Sequence, residues 1–147
     1  MQLETAKRIA HLKELVRQQS QQMLAQAVEA TAKENRKLAE MLTMRQQHEA
    51  KLEEMLAQSQ PVPARFWVQW EQFQQQLEEQ ILRQRQQVEQ AKQHEENRRQ
   101  EVLARAIDEN RWHKIRQMIF AQRVAKMQRQ EQKELDDLAS TQFVYRR

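Results

Sequence analysis

Gln58-Ser59-Gln60-Pro61-Val62-Pro63-Ala64-Arg65-Phe66-Trp67 is the stretch whose reading decides the fold. It holds both prolines of a 147-residue chain that contains no glycine. Proline removes a backbone donor and pushes the residue before it out of the helical region, so Gln60 and Val62 are expected to be extended. The sequence on either side is built from good helix formers, chiefly Ala, Leu, Gln, Glu, Lys, Arg and Met, with no further breaker. The expected architecture is therefore all-α: a long two-helix antiparallel coiled-coil hairpin, the second helix overhanging at the C-terminal end. Helix one is expected over about 3–57, the turn over about 58–64, helix two over about 65–139 and a tail over 140–147.

Composition supports long helices over a compact globule. Hydrophobic residues make up 39% and aromatics 5%, while charged residues reach 31%. Mean hydropathy is -1.06. Twenty-eight glutamines occupy positions that a thick core would need. Roughly half the residues are Ala, Glu, Lys, Leu or Arg, a composition typical of coiled coils. Low hydrophobicity with high charge is also the signature of disorder. The turn and the apolar ladders favour folded helices.

Those ladders run at alternating steps of three and four, the spacing of a coiled-coil seam. In helix one the apolar reading is Ile9, Leu12, Val16, Gln19, Met23, Ala27, Ala30, Glu34, Leu38, Leu42, Leu52 and Leu56. An extra step of four between 23 and 38 predicts a stutter that locally unwinds the supercoil. In helix two the reading is Phe66, Trp70, Phe73, Leu77, Ile81, Gln84, Val88, Ala91, Glu95, Arg98 and Val102, followed by Trp112, Ile115, Ile119, Met127, Leu135 and Leu138. Folding at the prolines pairs Phe66 with Leu56, Trp70 with Leu52, Ile81 with Met41, Ala106 with Val16 and Trp112 with Ile9. Polar groups at seam positions, Gln19, Glu34, Gln84, Glu95 and Arg98, predict a weaker middle. Helix one runs out near residue 3, so helix two from about Ile119 onward lacks an internal partner. Yet Ile119, Phe120, Val124, Met127, Leu135, Leu138, Phe143 and Val144 still supply apolar groups there. Such a stripe marks a partner surface.

Charge and motif content narrow the function classes. The net charge of +4 is modest beside 25 basic and 21 acidic residues. Without cysteine there is no disulfide framework and no thiolate zinc site. His11, His48, His94 and His113 never share a helical turn, and no HExxH, phosphate loop or nucleophile elbow occurs. Catalysis, cofactors and bound metal are not expected. Residues 1–10 carry Glu4, Lys7 and Arg8 without an apolar run, against a signal peptide. No run reaches the length of a membrane span. The expectation is a cytoplasmic protein with no membrane insertion.

Two stretches invite partners. Phe66, Trp67, Trp70 and Phe73 form an aromatic cluster beside Pro61 and Pro63; Trp67 is expected off the seam, and Phe73 with Leu77 forms an apolar strip able to anchor a partner. Residues 98–129 hold nine basic side chains, among them Arg111, Lys114, Arg116, Arg123, Lys126 and Arg129, against three acidic ones. With Trp112 and Phe120 among them this is a nucleic-acid stripe, a solvated helix face, or a surface for an acidic protein cavity. The sign then reverses at Glu131, Glu134, Asp136 and Asp137 before Arg146-Arg147.

The segment Arg65-Phe66-Trp67-Val68-Gln69-Trp70-Glu71-Gln72-Phe73, with Leu77 following, resembles the hairpin segment of the flagellar export protein FliJ family. Glu131-Gln132-Lys133-Glu134-Leu135-Asp136-Asp137-Leu138-Ala139 resembles that family's closing motif. The start departs from the pattern, with Leu3, Ile9 and Leu12 where many members open on phenylalanine-leucine. The resemblance implies a non-catalytic coiled coil similar to the rotor stalk of rotary ATPases. Its open end would sit in the central hole of the hexameric export ATPase, with Arg111, Lys114, Arg116, Arg123, Lys126 and Arg129 in contact. It further implies contact with the export gate's cytosolic linker through Phe73, Leu77, Gln80 and Gln84. The two glutamines stand where a small residue and a histidine are expected. The family is also implied to handle empty secretion chaperones at the cytoplasmic face of the inner membrane. The stalk of a non-flagellar type III secretion system is the nearest alternative. A basic nucleic-acid-binding coiled coil is the alternative from another class, although nucleic acid is not the expected partner.

Overall fold

The computed structural model describes residues 1–58 and 60–146. Ser59, within the expected turn, and Arg147, in the expected tail, lie outside the described residues. Two helices follow in order, α1 over Leu3–Ala57 and α2 over Ala64–Tyr145. They pack against one another as an antiparallel hairpin, and no strand occurs among the described residues. Gln58 closes α1 by donating from its backbone N–H to the Met55 carbonyl at 3.3 Å, a tightened last turn. Pro63 then presets the backbone for α2, and its carbonyl accepts from Phe66 N–H at 3.0 Å.

Helix α2 runs past the expected end at Ala139 and reaches Tyr145. The sequence there, Ser140-Thr141-Gln142-Phe143-Val144-Tyr145, holds weaker helix formers but no glycine or proline. Such residues disfavour a helix by only about 0.7 kcal/mol each or less. Thr141 Oγ1 donates back to the Asp137 carbonyl at 2.9 Å, so its hydroxyl is satisfied without leaving the helix. Nothing in that stretch stops propagation.

The chain divides into two compact units. One, the turn half, is Gln21–Glu101. Its α1 seam is Leu24, Ala27, Thr31, Glu34, Leu38, Met41, Arg45, His48, Leu52 and Met55, each buried or half-buried. Steps of three and four alternate there without a break, so the expected stutter is absent. Ala30 and Leu56, placed on the seam by their apolar character, are exposed, and Thr31 takes the position beside Ala30. The reason is phase: a seam must keep one 3.5-residue period, and a single small polar residue costs less than a break in it. The Thr31 hydroxyl donates to the Ala27 carbonyl at 3.0 Å, which makes its burial tolerable.

Facing that seam, α2 contributes Trp70, Gln74, Leu77, Ile81, Gln84, Val88, Ala91, Glu95 and Arg98. Leu77, Ile81 and Val88 form the apolar centre, and Ile81 is the largest fully buried side chain among the described residues. Phe73 lies beside the seam, 41% exposed, and Gln74 takes the seam position expected for it.

The other unit, the terminal half, joins Met1–Ser20 to the chain from Val102 onward. Its α1 seam is Leu3, Ala6, Ala10, Lys13, Arg17 and Ser20. Leu12 and Gln19, expected on the seam, point to solvent. Ala6 and Ala10 are wholly buried, and on the α2 side Trp112, Arg116 and Ile119 are half-buried. Small residues on one helix let large ones on the other fill the gap. Met1, Gln2, Leu3 and Glu4 line a cavity of about 500 Å³ with Ile119, Gln122, Arg123 and Lys126. Past that point α2 continues without α1, and residues 126–146 are all exposed.

Candidate interaction surfaces

Near the turn, aromatic packing is built around a histidine that periodicity alone did not single out. The His48 ring stacks on Trp70 with centroids 4.9 Å apart and planes at 12°. It also tilts against Phe73 at 4.5 Å. His48 Nε2 lies 3.4 Å from the Trp70 carbonyl oxygen and donates to it in the tautomer protonated there. Phe66 and Trp67 meet edge to face at 6.0 Å. Between the helices a cleft of about 290 Å³ is lined by His48, Lys51, Glu54, Met55, Phe66, Gln69 and Trp70. Two buried polar atoms of this half of α2, Trp70 Nε1 and Gln74 Oε1, have no hydrogen-bond partner among the described residues. The signal for His48 was its heptad spacing from Arg45 and Leu52, visible only once the α1 phase is known.

Of the four residues suggested for a gate contact, Phe73 and Gln80 are exposed, while Leu77 and Gln84 are turned inward. Leu77 is 2% exposed and Gln84 7%. Gln84 Nε2 donates to the Glu34 carbonyl oxygen at 2.9 Å and to its carboxylate Oε2 at 2.6 Å. That bond, with Lys37 nearby, holds the Glu34 carboxyl below its ordinary range. The polar middle of the seam is thus satisfied from within the hairpin. Arg98 reaches Glu101 at 3.0 Å and the Met23 sulfur at 3.9 Å.

In the terminal half charge pairs cross between the helices. Lys13 bridges Asp108 at 2.9 Å, and Arg17 bridges Glu109, which also meets His113 at 3.4 Å. The hydrogen bond from Lys13, reinforced by its charge and those of Arg111 and Arg105, lowers the Asp108 carboxyl. Of the six basic residues suggested for an ATPase contact, Arg111, Lys114, Arg123, Lys126 and Arg129 are exposed. Arg116 is half-buried, and with Leu3, Lys7, Gln117 and Phe120 it lines a cleft of about 220 Å³. Two other arginines of the basic stretch are engaged locally, Arg98 by Glu101 and Arg99 by Glu95 and Glu96. Among the described residues no cluster of three or more potential metal ligands occurs, and no helix is long and apolar enough to cross a membrane.

A two-helix hairpin that closes on itself over part of its length and leaves one face bare defines a coiled-coil protein that presents surfaces. The chain matches the flagellar FliJ protein family over residues 6–147, and it belongs to that family. The family is a non-enzymatic component of the flagellar protein export apparatus. No curated protein and no solved structure gives a significant match.

Proposed function

We propose that this protein is a non-catalytic, cytoplasmic, stalk-like part of the flagellar type III export apparatus, peripheral to the inner membrane. It binds the hexameric export ATPase through the exposed basic residues of α2 and the export gate's cytosolic linker near Phe73, and it handles secretion chaperones. One observation carries the ATPase contact: α2 continues alone beyond the start of α1, with Arg123, Lys126 and Arg129 exposed. Arg111 and Lys114 add exposed charge on the same helix. Basic side chains on a bare helix suit an acidic cavity, where they guide docking and orientation.

The purified chain is expected to raise ATP hydrolysis by its cognate hexamer. Replacing Arg111, Lys114 and Arg129 together by Glu should abolish that stimulation with helicity unchanged. Stimulation by the triple variant equal to that of the unaltered chain would refute the contact. For the gate, Phe73→Ala should impair secretion with helicity retained, the lost contact with His48 lowering the melting transition only slightly because the side chain lies beside the seam. Leu77→Ala and Gln84→Ala act differently, since both groups are packed inward and their loss lowers stability more. Normal secretion by the Phe73→Ala strain sinks the gate assignment. The family match supports a flagellar over a virulence-type system, and deleting the gene should abolish motility.

A further inference from the structure

We infer that the exposed apolar stripe on the overhanging end of α2 is a self-complementary surface on which a second copy of this chain pairs antiparallel. The stripe is not a leftover of the intramolecular seam. On α2 the side facing α1 passes through Glu109, Trp112, Arg116 and Ile119, all half-buried. Continued at the same spacing, that side would carry Arg123, Lys126, Gln130, Lys133 and Asp137, none of them apolar. The apolar residues move one position on, to Phe120, Val124, Met127, Leu138 and Tyr145, with Leu135 two positions on, and every one is exposed. One position is about 100° around a helix. A longer α1 would therefore not cover this face, which requires a partner approaching from another side.

Charge identifies that partner. Between 120 and 130 the charged residues are Arg123, Lys126 and Arg129; from 131 to 137 they are Glu131, Glu134, Asp136 and Asp137, with Lys133 the one exception. A partner of single sign laid along the whole stripe would satisfy one half and repel the other, and an acidic cavity that takes only the basic half competes with this pairing for Arg123 and Lys126. A second copy in parallel sets like against like. A second copy running antiparallel, with the two-fold near Gln130 and Glu131, sets each basic half against the acidic half opposite. Arg123 then faces the second copy's Asp137, Lys126 faces its Glu134, and Val124 and Met127 lie among its Leu135 and Leu138. Such an interface is isologous and closes as a dimer. The stripe spans roughly three to four heptads, about the minimum for a stable coiled coil. Dimerisation is therefore expected in the range of about 10 to 100 micromolar, with the ion pairs setting orientation more than affinity.

Sedimentation equilibrium on the purified full chain tests this, with helicity by circular dichroism as the check on folding. The unaltered chain should show a monomer–dimer equilibrium. Arg123→Glu with Lys126→Glu, and separately Glu134→Lys with Asp137→Lys, should each weaken dimerisation at least tenfold. A mixture of those two variants should form a heterodimer, and the fourfold variant should dimerise again. Because the chain has no cysteine, Glu131→Cys should oxidise to a self-linked dimer, whereas Val124→Cys should crosslink only when mixed with Leu138→Cys. A monomer throughout that concentration range, a fourfold variant that stays monomeric, or Val124→Cys linking readily to itself would each overturn the proposal. The measurement needs the purified chain alone, so its failure leaves the export reading standing. The ATPase test uses Arg111, Lys114 and Arg129, which lie off the stripe, so that reading can fail independently.

Discussion

The turn half and the terminal half are both pairs of antiparallel helices, yet they are held together by different means. In the turn half the seam centres on Leu77, Ile81 and Val88, with one polar link from Gln84 to Glu34. In the terminal half the α1 seam is built on Ala6 and Ala10, flanked by the pairs Lys13–Asp108 and Arg17–Glu109. Burial of large apolar groups contributes most per residue and is not screened by salt. Close approach over alanines with charge pairs contributes less, and the exposed part of it is screened. The half that carries the bare extension of α2 is thus the one more open to adjustment by its surroundings.

The sharpest break in that comparison is Ile81→Ala. It should destabilise the turn half by about 2–4 kcal/mol, since it opens a cavity where little else fills the seam. A shift of the helical melting transition by several degrees is expected, and an unchanged transition would contradict the assigned centre. Next, Ala10→Leu overpacks the terminal half and should cost about 1–3 kcal/mol. Hydrogen exchange should report faster opening near residues 3–20 while amides around Ile81 keep their protection. Glu109→Gln, which weakens links to both Arg17 and His113, should cost about 0.5–1 kcal/mol, and 1 M salt should remove only part of the difference because the pair is part-buried.

The smallest expected effect is on pH dependence. Asp108 and Glu34 both have carboxyl pKa values lowered in the folded chain, by Lys13 and by Gln84 respectively. A lowered folded value means the stabilisation is complete above the ordinary carboxylate range and is lost as pH falls through the folded value. Melting should therefore be flat from neutral pH down to about pH 5 and decline below about pH 4. Asp108→Asn should remove part of that decline. A decline on raising the pH instead would reverse the assigned sign.

How far the seam could be read in advance depended on what occupies it. On α2, Leu77, Ile81, Val88 and Ala91 stand in phase with only Gln84 between them, so the ladder and the burial coincide. On α1 the seam takes in Lys13, Arg17, Ser20, Thr31, Arg45 and His48, residue types that belong to surfaces in most helices. Leu12 and Ala30, the apolar residues nearby, draw the eye to a neighbouring stripe. The basic residues of the overhang were legible as a group, but not that Arg116 turns inward while Arg123, Lys126 and Arg129 stay out. Leu77 and Gln84 were read on the seam and lie there; it was the gate assignment, carried by the family resemblance, that treated them as surface groups.

By itself the sequence determined two long helices and the place where they part. Pro61 and Pro63 interrupt the helix in a chain that has no other breaker, and that constraint is local to the backbone. Which side of α1 meets α2 was decided only by the tertiary structure. The choice of phase is a sum over many contacts along the pair, and the winning stripe is the one that keeps an unbroken period while Gln84 meets Glu34 and Lys13 meets Asp108. No single residue on that stripe announces it.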